Sequence, residues 1–543
     1  MLSENAVAQT SRNWARLIIV FVVAFDLAAF WQWMGGAYQS EFGGHPDEGA
    51  HYVSGLAMQD FISGRIGTRD AIAGTAKSMP VENDEATGVN AGRPAFFASR
   101  LAAFSIALSG WTFAFGASRL AVLLLVAAFA AGVATLLYDS VREEFGDWAA
   151  MAAALLWLCA ASIRESYGLL MPEMLGGLAM LGAALAWGSF LDRGRRRDAL
   201  AFGILAAISI WTEGAGVAAL VMAGVSLLWM RLWIRLARWD VWLAGALPVL
   251  SMLCVRKHYA AQFDFTAGAV AHAATFYTEK LAFVAGIAVA VFAVIGVAFR
   301  CFSRGERRRR WMAIASLPVS VLAYHCVASG HLEERHAVAA APCLILLAMA
   351  GVKSISVLTS ARVADAAERR RRESLWMLLL VLLVLPFEVM KVRAKEFDGF
   401  GPIARTLIDE APRDARILIS SDATGEGMFL SELAMNGWRH GFAIELASTS
   451  LVADGENGGD LADLRDRFAE DRELLAYLTA GRIQYIVLDD PVTMKQRAGY
   501  HDQIRRVIEN NVRSFWPLHA HPITRDGEVQ LRPIQIFRVI AGG

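Results

Sequence analysis

Residues 14–34 read WARLIIVFVVAFDLAAFWQWM, and residues 45–52, shortly after them, read HPDEGAHY. The first stretch is long and apolar enough to cross a bilayer, which takes about 20 residues as a helix. No small-residue cleavage site follows it, so we interpret it as an uncleaved membrane helix and not as a signal peptide. The second stretch places two adjacent carboxylates between two imidazoles, where the helix gives way to a polar loop. It is the first candidate for chemistry.

The overall composition is that of a membrane protein. Of the 543 residues, 56% are hydrophobic and 19% are charged, whereas soluble proteins are about 45–50% apolar and about 25% charged. Basic and acidic residues number 52 each, so no net charge favours binding to nucleic acid. The hydrophobic runs predict a polytopic α-helical protein with about eleven membrane spans. The predicted spans are residues 14–34, 118–138, 147–164, 172–190, 199–212, 214–230, 240–256, 281–300, 311–329, 337–355 and 374–392.

Arginine clusters set the expected orientation. They lie at residues 193–197, 231–238, 304–310 and 369–372, which are alternate loops. Because basic loops are retained in the cytoplasm, these four loops are expected inside, and the N-terminus with them. The long loop 35–117 and the segment after the last span then face outward. Together with the absence of paired cysteines outside, this predicts a multi-pass protein of a bacterial inner membrane.

The composition changes after the last span. We predict a membrane domain at residues 1–392 and a periplasmic or extracellular α/β domain at residues 393–543. The outer domain is expected to contain strands at 416–420, 484–489 and 529–540 and helices at 425–436, 460–480 and 500–511. Gly425 and Gly427 follow the first of these strands. Two glycines do not make a nucleotide-binding fingerprint, and we interpret them as a plain turn.

Polar residues from distant segments collect on the predicted outer face. They are Asp47, Glu48, Arg93, Glu173, Lys257 and residues 333–336, which read EERH. A plainer interpretation exists for each, as a surface ion pair or an interface anchor, and an acid pair at a helix start also complements the helix dipole. Transporters, however, place their polar groups near the bilayer midplane and often in repeated halves. The one-sided distribution here favours an enzyme.

Three segments that contain these residues resemble motifs of the GT-C superfamily of polytopic glycosyltransferases. The resemblance extends over roughly residues 1–355. Residues 46–52, PDEGAHY, are similar to the acidic pair in the first outer loop of protein O-mannosyltransferases and lipid A aminoarabinose transferases. Residues 93–97, RPAFF, resemble a Lys-Pro-Pro-Leu-Tyr segment, and residues 333–336 resemble a Glu-x-Arg-Tyr turn. The departures at Arg93, Ala95 and His336 concern the donor's identity more than the reaction.

The resemblance implies an inverting glycosyltransferase. It would move a sugar from a polyprenyl-phosphate donor to a hydroxyl of a lipid, glycan or protein acceptor on the outer face. Asp47 would act as the general base, and Glu48 would share that role or orient a sugar hydroxyl. The residues expected to bind the donor phosphate are Arg93, Arg335, Lys257 and His336. The residues expected to contact sugar or acceptor are Glu173, His51, Tyr52 and Glu334.

No cofactor is expected, because arginine side chains supply the positive charge that a metal ion would otherwise provide. One alternative places a divalent ion on His45, Asp47 and His51, since Asp47 and His51 are spaced four apart on one helical face. Two alternatives for the function stay open. One is a polytopic transporter or flippase, and the other is a surface-polysaccharide polymerase or ligase that uses lipid-diphosphate donors.

Overall fold

The computed structural model describes most of the chain. The described residues are 4–63, 102–232, 234, 237–259, 263, 265–302, 307–328, 332–360, 365–390, 394–437, 441–453, 465–480, 483–490 and 499–540. They fall into two compact units. The helical unit is drawn from Met1–Gly35, Arg100–Phe104 and Leu123–Arg393, and the mixed unit is drawn from Gly36–Ser99, Ser105–Val122 and Ala394–Gly543. The predicted division into domains at residues 1–392 and 393–543 stays a prediction.

Helices dominate the described residues. In chain order they are α1 (Glu4–Met34), α2 (Asp47–Ile62), α3 (Ala102–Phe115), α4 (Arg119–Phe145), α5 (Asp147–Cys159), α6 (Ala161–Tyr167), α7 (Glu173–Arg193), α8 (Arg196–Thr212), α9 (Val217–Trp229), α10 (Trp239–Tyr259), α11 (Ala267–Ala285), α12 (Ile287–Phe302), α13 (Arg308–Val327), α14 (Ala341–Thr359), α15 (Ala366–Val389), α16 (Phe400–Glu410), α17 (Ala423–Gly437), α18 (Ala447–Ser450), α19 (Asp471–Ala480) and α20 (Gly499–Asn510). Two 3₁₀ turns, Gly214–Gly216 and Glu334–Ala340, precede α9 and α14. The strands are β1 (Arg416–Ser420), β2 (Ala443–Leu446), β3 (Val452–Ala453), β4 (Arg465–Asp466), β5 (Tyr485–Leu488), β6 (Phe515–His521), β7 (Thr524–Arg525), β8 (Glu528–Val529) and β9 (Ile534–Val539).

Several helices are built to cross a membrane. Among the described residues, four helical segments are long and apolar enough to span, and two bent helix pairs raise the number to six. Helix α7 illustrates the pattern, since Pro172 precedes it and Gly194, with a left-handed φ of 68°, ends it. The multi-pass character is therefore confirmed. The count of about eleven spans stays a prediction.

Two of the predicted spans are not continuous helices. Within the predicted span 281–300, α11 and α12 meet at 103° across Gly286, whose φ of +86° suits a residue without a side chain. Helices α5 and α6, which cover the predicted span 147–164, are bent by 64° at Ala160. Hydropathy averaged over a window does not report backbone direction, so it does not reveal these bends.

The mixed unit contains a five-stranded sheet of order β2-β1-β5-β9-β6. Strands β2, β1 and β5 are parallel, and β9 is antiparallel to both β5 and β6. Ile417 and Ile419 of β1 pack in the core that includes residues of α16 and α17, whereas Leu418 packs with residues of α19 and α20. A sheet covered on both faces has strands that are apolar throughout. The predicted strands at 416–420 and 484–489 are confirmed as β1 and β5, and the predicted closing strand contains β9.

The interpretation of Gly425 and Gly427 as a plain turn is wrong, because both lie in the first turns of helix α17. Gly427 is instead a packing position. A methyl group on Gly49 of α2 would overlap the carbonyl oxygen of Gly427. The two glycines therefore let the start of α2 and the start of α17 pack with their backbones in contact, which fixes the position of the acidic motif.

A second contact holds the chain ahead of the acidic motif. The buried carboxylate of Glu41 accepts backbone hydrogen bonds from Gly399 (3.2 Å), Phe400 (3.1 Å) and Gly401 (2.6 Å) at the N-terminus of α16. It thereby satisfies donors that a helix start leaves without partners. Burial and the neighbouring Glu432 raise the pKa of Glu41 to about 7. Residues 41 and 399–401 are thus joined although they are far apart in sequence.

The contact between Gly49 and Gly427 predicts a clear stability difference. Gly49→Ala should lower the free energy of unfolding by about 1–3 kcal/mol, because the added methyl meets backbone that cannot rotate away. The matched control is Gly110→Ala in α3, where an added methyl meets nothing within 4 Å. Thermal unfolding in detergent measures both. An unchanged midpoint for Gly49→Ala would contradict the close packing.

The environment of Glu41 predicts a pH effect on stability. Its ordinary pKa is 4.5 and its folded pKa is about 7, so between these values the folded protein holds a proton that the unfolded chain has released. The free energy of unfolding therefore falls as pH rises through this window. Glu41→Gln cannot titrate, so its stability should fall by about 3 kcal/mol less than that of the wild type. Midpoints measured from pH 4.5 to 7.5 test this, and parallel curves would contradict it.

Candidate active site

The two acids of the motif occupy different environments. Asp47 and Glu48 form the first turn of α2, where negative charge is favoured by the helix dipole. The Asp47 side chain is 54% exposed, whereas Glu48 is fully buried. Of the two acids of the motif, Asp47 is therefore the one with an exposed carboxylate.

Glu48 is held by hydrogen bonds and an ion pair within the mixed unit. Its Oε2 atom accepts the backbone N–H groups of Gly44 at 2.8 Å and His45 at 3.3 Å. The Lys395 ammonium lies 2.9 Å from both carboxylate oxygens. Burial lowers the pKa of Lys395, while the charge of Glu48 opposes that shift. The carboxylate thus bridges the loop before α2 and the chain that enters the C-terminal segment.

Asp47 has an imidazole beside it. The Nδ1 atom of His45 lies 3.6 Å from Asp47 Oδ2, and the same nitrogen accepts the Asp47 backbone N–H at 3.1 Å. An exposed carboxylate next to an imidazole can accept a proton from a hydroxyl group.

His51 and Tyr52 lie one turn further along α2, and both are buried. The Tyr52 hydroxyl donates to the carbonyl oxygen of Ala117 at 2.7 Å, and its ring packs on Phe42. Burial raises the pKa of Tyr52. These contacts orient α2, and a role of either residue with sugar or acceptor stays a prediction. Within the described part of the chain, no three His, Cys, Asp or Glu side chains are grouped to hold a metal ion.

The helical unit brings together Glu173 and Arg335, which are distant in sequence. Glu173 is the first residue of α7 and is buried, and its Oε1 atom accepts a hydrogen bond from Arg335 Nη1 at 3.0 Å. The Nε atom of Arg335 donates to Glu333. Arg335 lies in the 3₁₀ turn Glu334–Ala340. One guanidinium is therefore shared by two carboxylates.

The neighbouring residues of that turn have separate partners. Glu334 accepts hydrogen bonds from Ser162 at 2.7 Å and from Lys280 at 3.0 Å. His336 Nδ1 lies 3.1 Å from the Tyr277 hydroxyl, and its ring stacks on His325 with centroids 4.9 Å apart. The predicted group Glu173, Glu334, Arg335 and His336 is thus part of one polar cluster of the helical unit.

Two predicted phosphate ligands fall outside the described part of the structure. Arg93 lies in residues 64–101, and Lys257 lies in α10 with its side chain outside the description. Asp47, Glu48, His51 and Tyr52 belong to the mixed unit. Their roles, and those of the residues in the helical unit, stay predictions.

Glu213 was not among the residues predicted from the sequence, and it joins the polar cluster of the helical unit. It lies between α8 and the 3₁₀ turn before α9. Burial, and then the charge of Glu173, raise the pKa of Glu213. The signal was present in the sequence, because an acid between two apolar segments is a functional candidate by default. Lys280 gave no such signal.

The residues that support the motif were also missed. In the mixed unit, Arg119 forms an ion pair with Glu432, and its guanidinium lies 5.7 Å from the centre of the Phe42 ring. The Lys395 ammonium lies 5.8 Å from the same ring. Phe42 precedes the acidic motif in the chain, so both cations lie beside the segment that leads into α2. No local pattern marks them.

Solved structures of other proteins have the same fold as this chain. ArnT from Cupriavidus metallidurans in the apo state superimposes with a TM-score of 0.53 and 13% identity, covering 99% of this chain and 100% of that one. The same protein bound to undecaprenyl phosphate gives a TM-score of 0.52 and 14% identity over the same shares. The archaeal oligosaccharyltransferase AglB from Archaeoglobus fulgidus, in complex with an inhibitory peptide and a dolichol-phosphate, gives 0.52 and 11% identity, covering 87% of this chain and 69% of that one.

No protein-family model and no curated protein sequence matches the chain. The likeness to ArnT and AglB, both GT-C glycosyltransferases, extends over most of the chain at low sequence identity. The resemblance inferred from the motifs is thus confirmed, and the chain has the fold of the GT-C glycosyltransferases.

Proposed function

We propose that this protein is a membrane glycosyltransferase that moves a sugar from a polyprenyl-phosphate donor to an acceptor hydroxyl. The observation that carries the proposal is the different environment of the two acids. Glu48 is buried and ion-paired, whereas Asp47 is exposed at a helix start beside His45. A chain with the GT-C fold and an exposed carboxylate at the start of α2 has the group that such a transfer requires.

In the proposed reaction the acceptor oxygen attacks the anomeric carbon while Asp47 takes the hydroxyl proton. The bond from that carbon to the phosphate oxygen breaks, and the electron pair leaves with the polyprenyl phosphate. A single displacement of this kind inverts the anomeric configuration. The acceptor is a lipid, a glycan or a protein, and we place the reaction on the outer face of a bacterial inner membrane, with the N-terminus cytoplasmic.

Cations would stabilise the negative charge that grows on the leaving phosphate. Arg335 donates to Glu173, to Glu333 and to the sulfur of Met171, and we propose that its positive charge also acts on the donor phosphate. Arg93, Lys257 and His336 are the further candidates for this role. Glu173 and Glu334 would orient sugar or acceptor hydroxyls. No metal is required in this scheme.

Removal of the base tests the reaction. Asp47→Asn should lower kcat by about 10²–10⁴-fold while folding is unchanged, because an amide does not accept the proton. The matched control is Asp60→Asn, which changes an acid near the other end of α2. The assay follows release of lipid phosphate from radiolabelled polyprenyl-phosphate sugars. Full activity of Asp47→Asn would exclude it as the base.

The same assay separates the alternatives. Turnover only with lipid-diphosphate sugars would indicate a polysaccharide polymerase or ligase. Absence of turnover with every donor, accompanied by movement of the lipid between leaflets of a proteoliposome, would indicate a flippase.

The charge of Arg335 gives a separate prediction. Arg335→Gln should raise the KM for the donor by about 10–100-fold, since a hydrogen bond to a charged group contributes about 1.5–3 kcal/mol. Arg335→Lys should lose less, because it keeps the charge but not the planar fork. Arg300→Gln, which removes an ion pair with Glu144 in the same unit, serves as control. An unchanged donor KM in Arg335→Gln would remove it from the phosphate site.

A further inference from the structure

The acidic motif of the mixed unit is held by the segment that follows residue 393, and one of its contacts is the ion pair between Glu48 and Lys395. Glu48 is fully buried and the Lys395 side chain is only 11% exposed. A buried carboxylate is tolerated only when it is paired and hydrogen-bonded, and Lys395 supplies a cation to it.

Lys395 is itself fixed in place. The chain just after it pairs with the hairpin of β7 and β8 through two hydrogen bonds between Asp398 and Thr524, at 3.1 and 2.8 Å. Arg525 of that hairpin binds both carboxylate oxygens of Asp422 at 2.8 Å and also contacts Asp489. Asp422 and Asp489 follow strands β1 and β5. These contacts therefore connect the segment that carries Lys395 to the ends of the central strands β1 and β5.

The loop ahead of the motif has matching anchors. The Glu41 backbone N–H donates to the carbonyl oxygen of Phe397 at 2.7 Å, and the Phe397 N–H donates to Ser40 Oγ at 3.0 Å. With the Glu41 carboxylate at the start of α16 and Gly49 against Gly427, the motif is held on both sides of Asp47. The ion pair lies between these anchors and adjoins the residue proposed as the base.

We infer that Lys395 is a positioning residue that acts on Asp47 through Glu48, an inference that rests on the proposed role of Asp47 as general base. Lys395 neutralises Glu48, and Glu48 holds the backbone N–H groups of Gly44 and His45. These bonds set where α2 begins, and hence where the Asp47 carboxylate lies. In this assignment Glu48 takes no proton during transfer.

A double-mutant cycle tests the assignment. Lys395→Met removes this cation from the buried Glu48, and kcat should fall by about 10²-fold with little change in donor KM, as expected for a misplaced catalytic group. Lys395→Arg keeps the charge and should retain most of the activity. The double variant Lys395→Met/Glu48→Gln removes both charges and should recover most of the lost kcat. Arg506→Met, which removes an ion pair with Asp471 in the same unit, is the control.

Two outcomes of the cycle would overturn the inference. The first is a wild-type kcat for Lys395→Met. The second is a double variant that folds but is as slow as Lys395→Met or slower, which would place Glu48 in the chemistry itself. If Lys395→Met does not fold, the same comparison is made between the double variant and the wild type, with recovery of folding and activity expected.

Hydrogen–deuterium exchange tests the positioning role of Lys395 independently of the proposed function. In Lys395→Met, the amides of residues 44–52 should exchange faster than in the wild type, while those of α19 should not change. This result is expected whether or not any sugar donor is turned over. Unchanged exchange at residues 44–52 would overturn the positioning role, whereas absence of turnover by the wild type would overturn only the proposed function.

Discussion

The burial of the Glu48 carboxylate is the constraint on which the acidic motif depends. A carboxylate taken out of water must find a cation and hydrogen-bond donors, and Glu48 finds them in Lys395 and in the backbone of Gly44 and His45. This requirement joins the loop after α1 to the chain that enters the sheet. It also leaves Asp47 as the acid that faces outward. One acid thus fixes the geometry, and its neighbour is the exposed one.

The helical unit follows the same rule with different partners. Glu173 is buried at the start of α7, and Arg335 from the turn before α14 pairs with it. Glu334 of that turn pairs with Lys280 of α11. Each of these acids lies near a helix end and pairs with a cation from a different segment of the helical unit. The polar cluster therefore also fixes how those helix ends meet. A donor phosphate entering this cluster would compete with carboxylates for Arg335, which ties donor binding to the arrangement of the helices.

Local patterns made much of the fold predictable, and distant partners explain the rest. The apolar runs, β1 and β5 follow from hydropathy and periodicity within a few residues. The bend at Gly286 does not, since it depends on one backbone angle. The acid pair was found from its position after the first helix, but the different environments of Asp47 and Glu48 were not, because Lys395 lies 347 residues away. Gly427 was mistaken for part of a turn because its packing partner, Gly49, is also remote in sequence.

The central claim is that an acceptor hydroxyl, deprotonated by Asp47, displaces a lipid phosphate in one step. The anomeric configuration of the product tests this most directly. We predict that NMR of the product formed from a polyprenyl-phosphate sugar of known anomeric configuration shows inversion, with one lipid phosphate released per sugar transferred. Retention of configuration, or transfer without release of the lipid phosphate, would contradict the account.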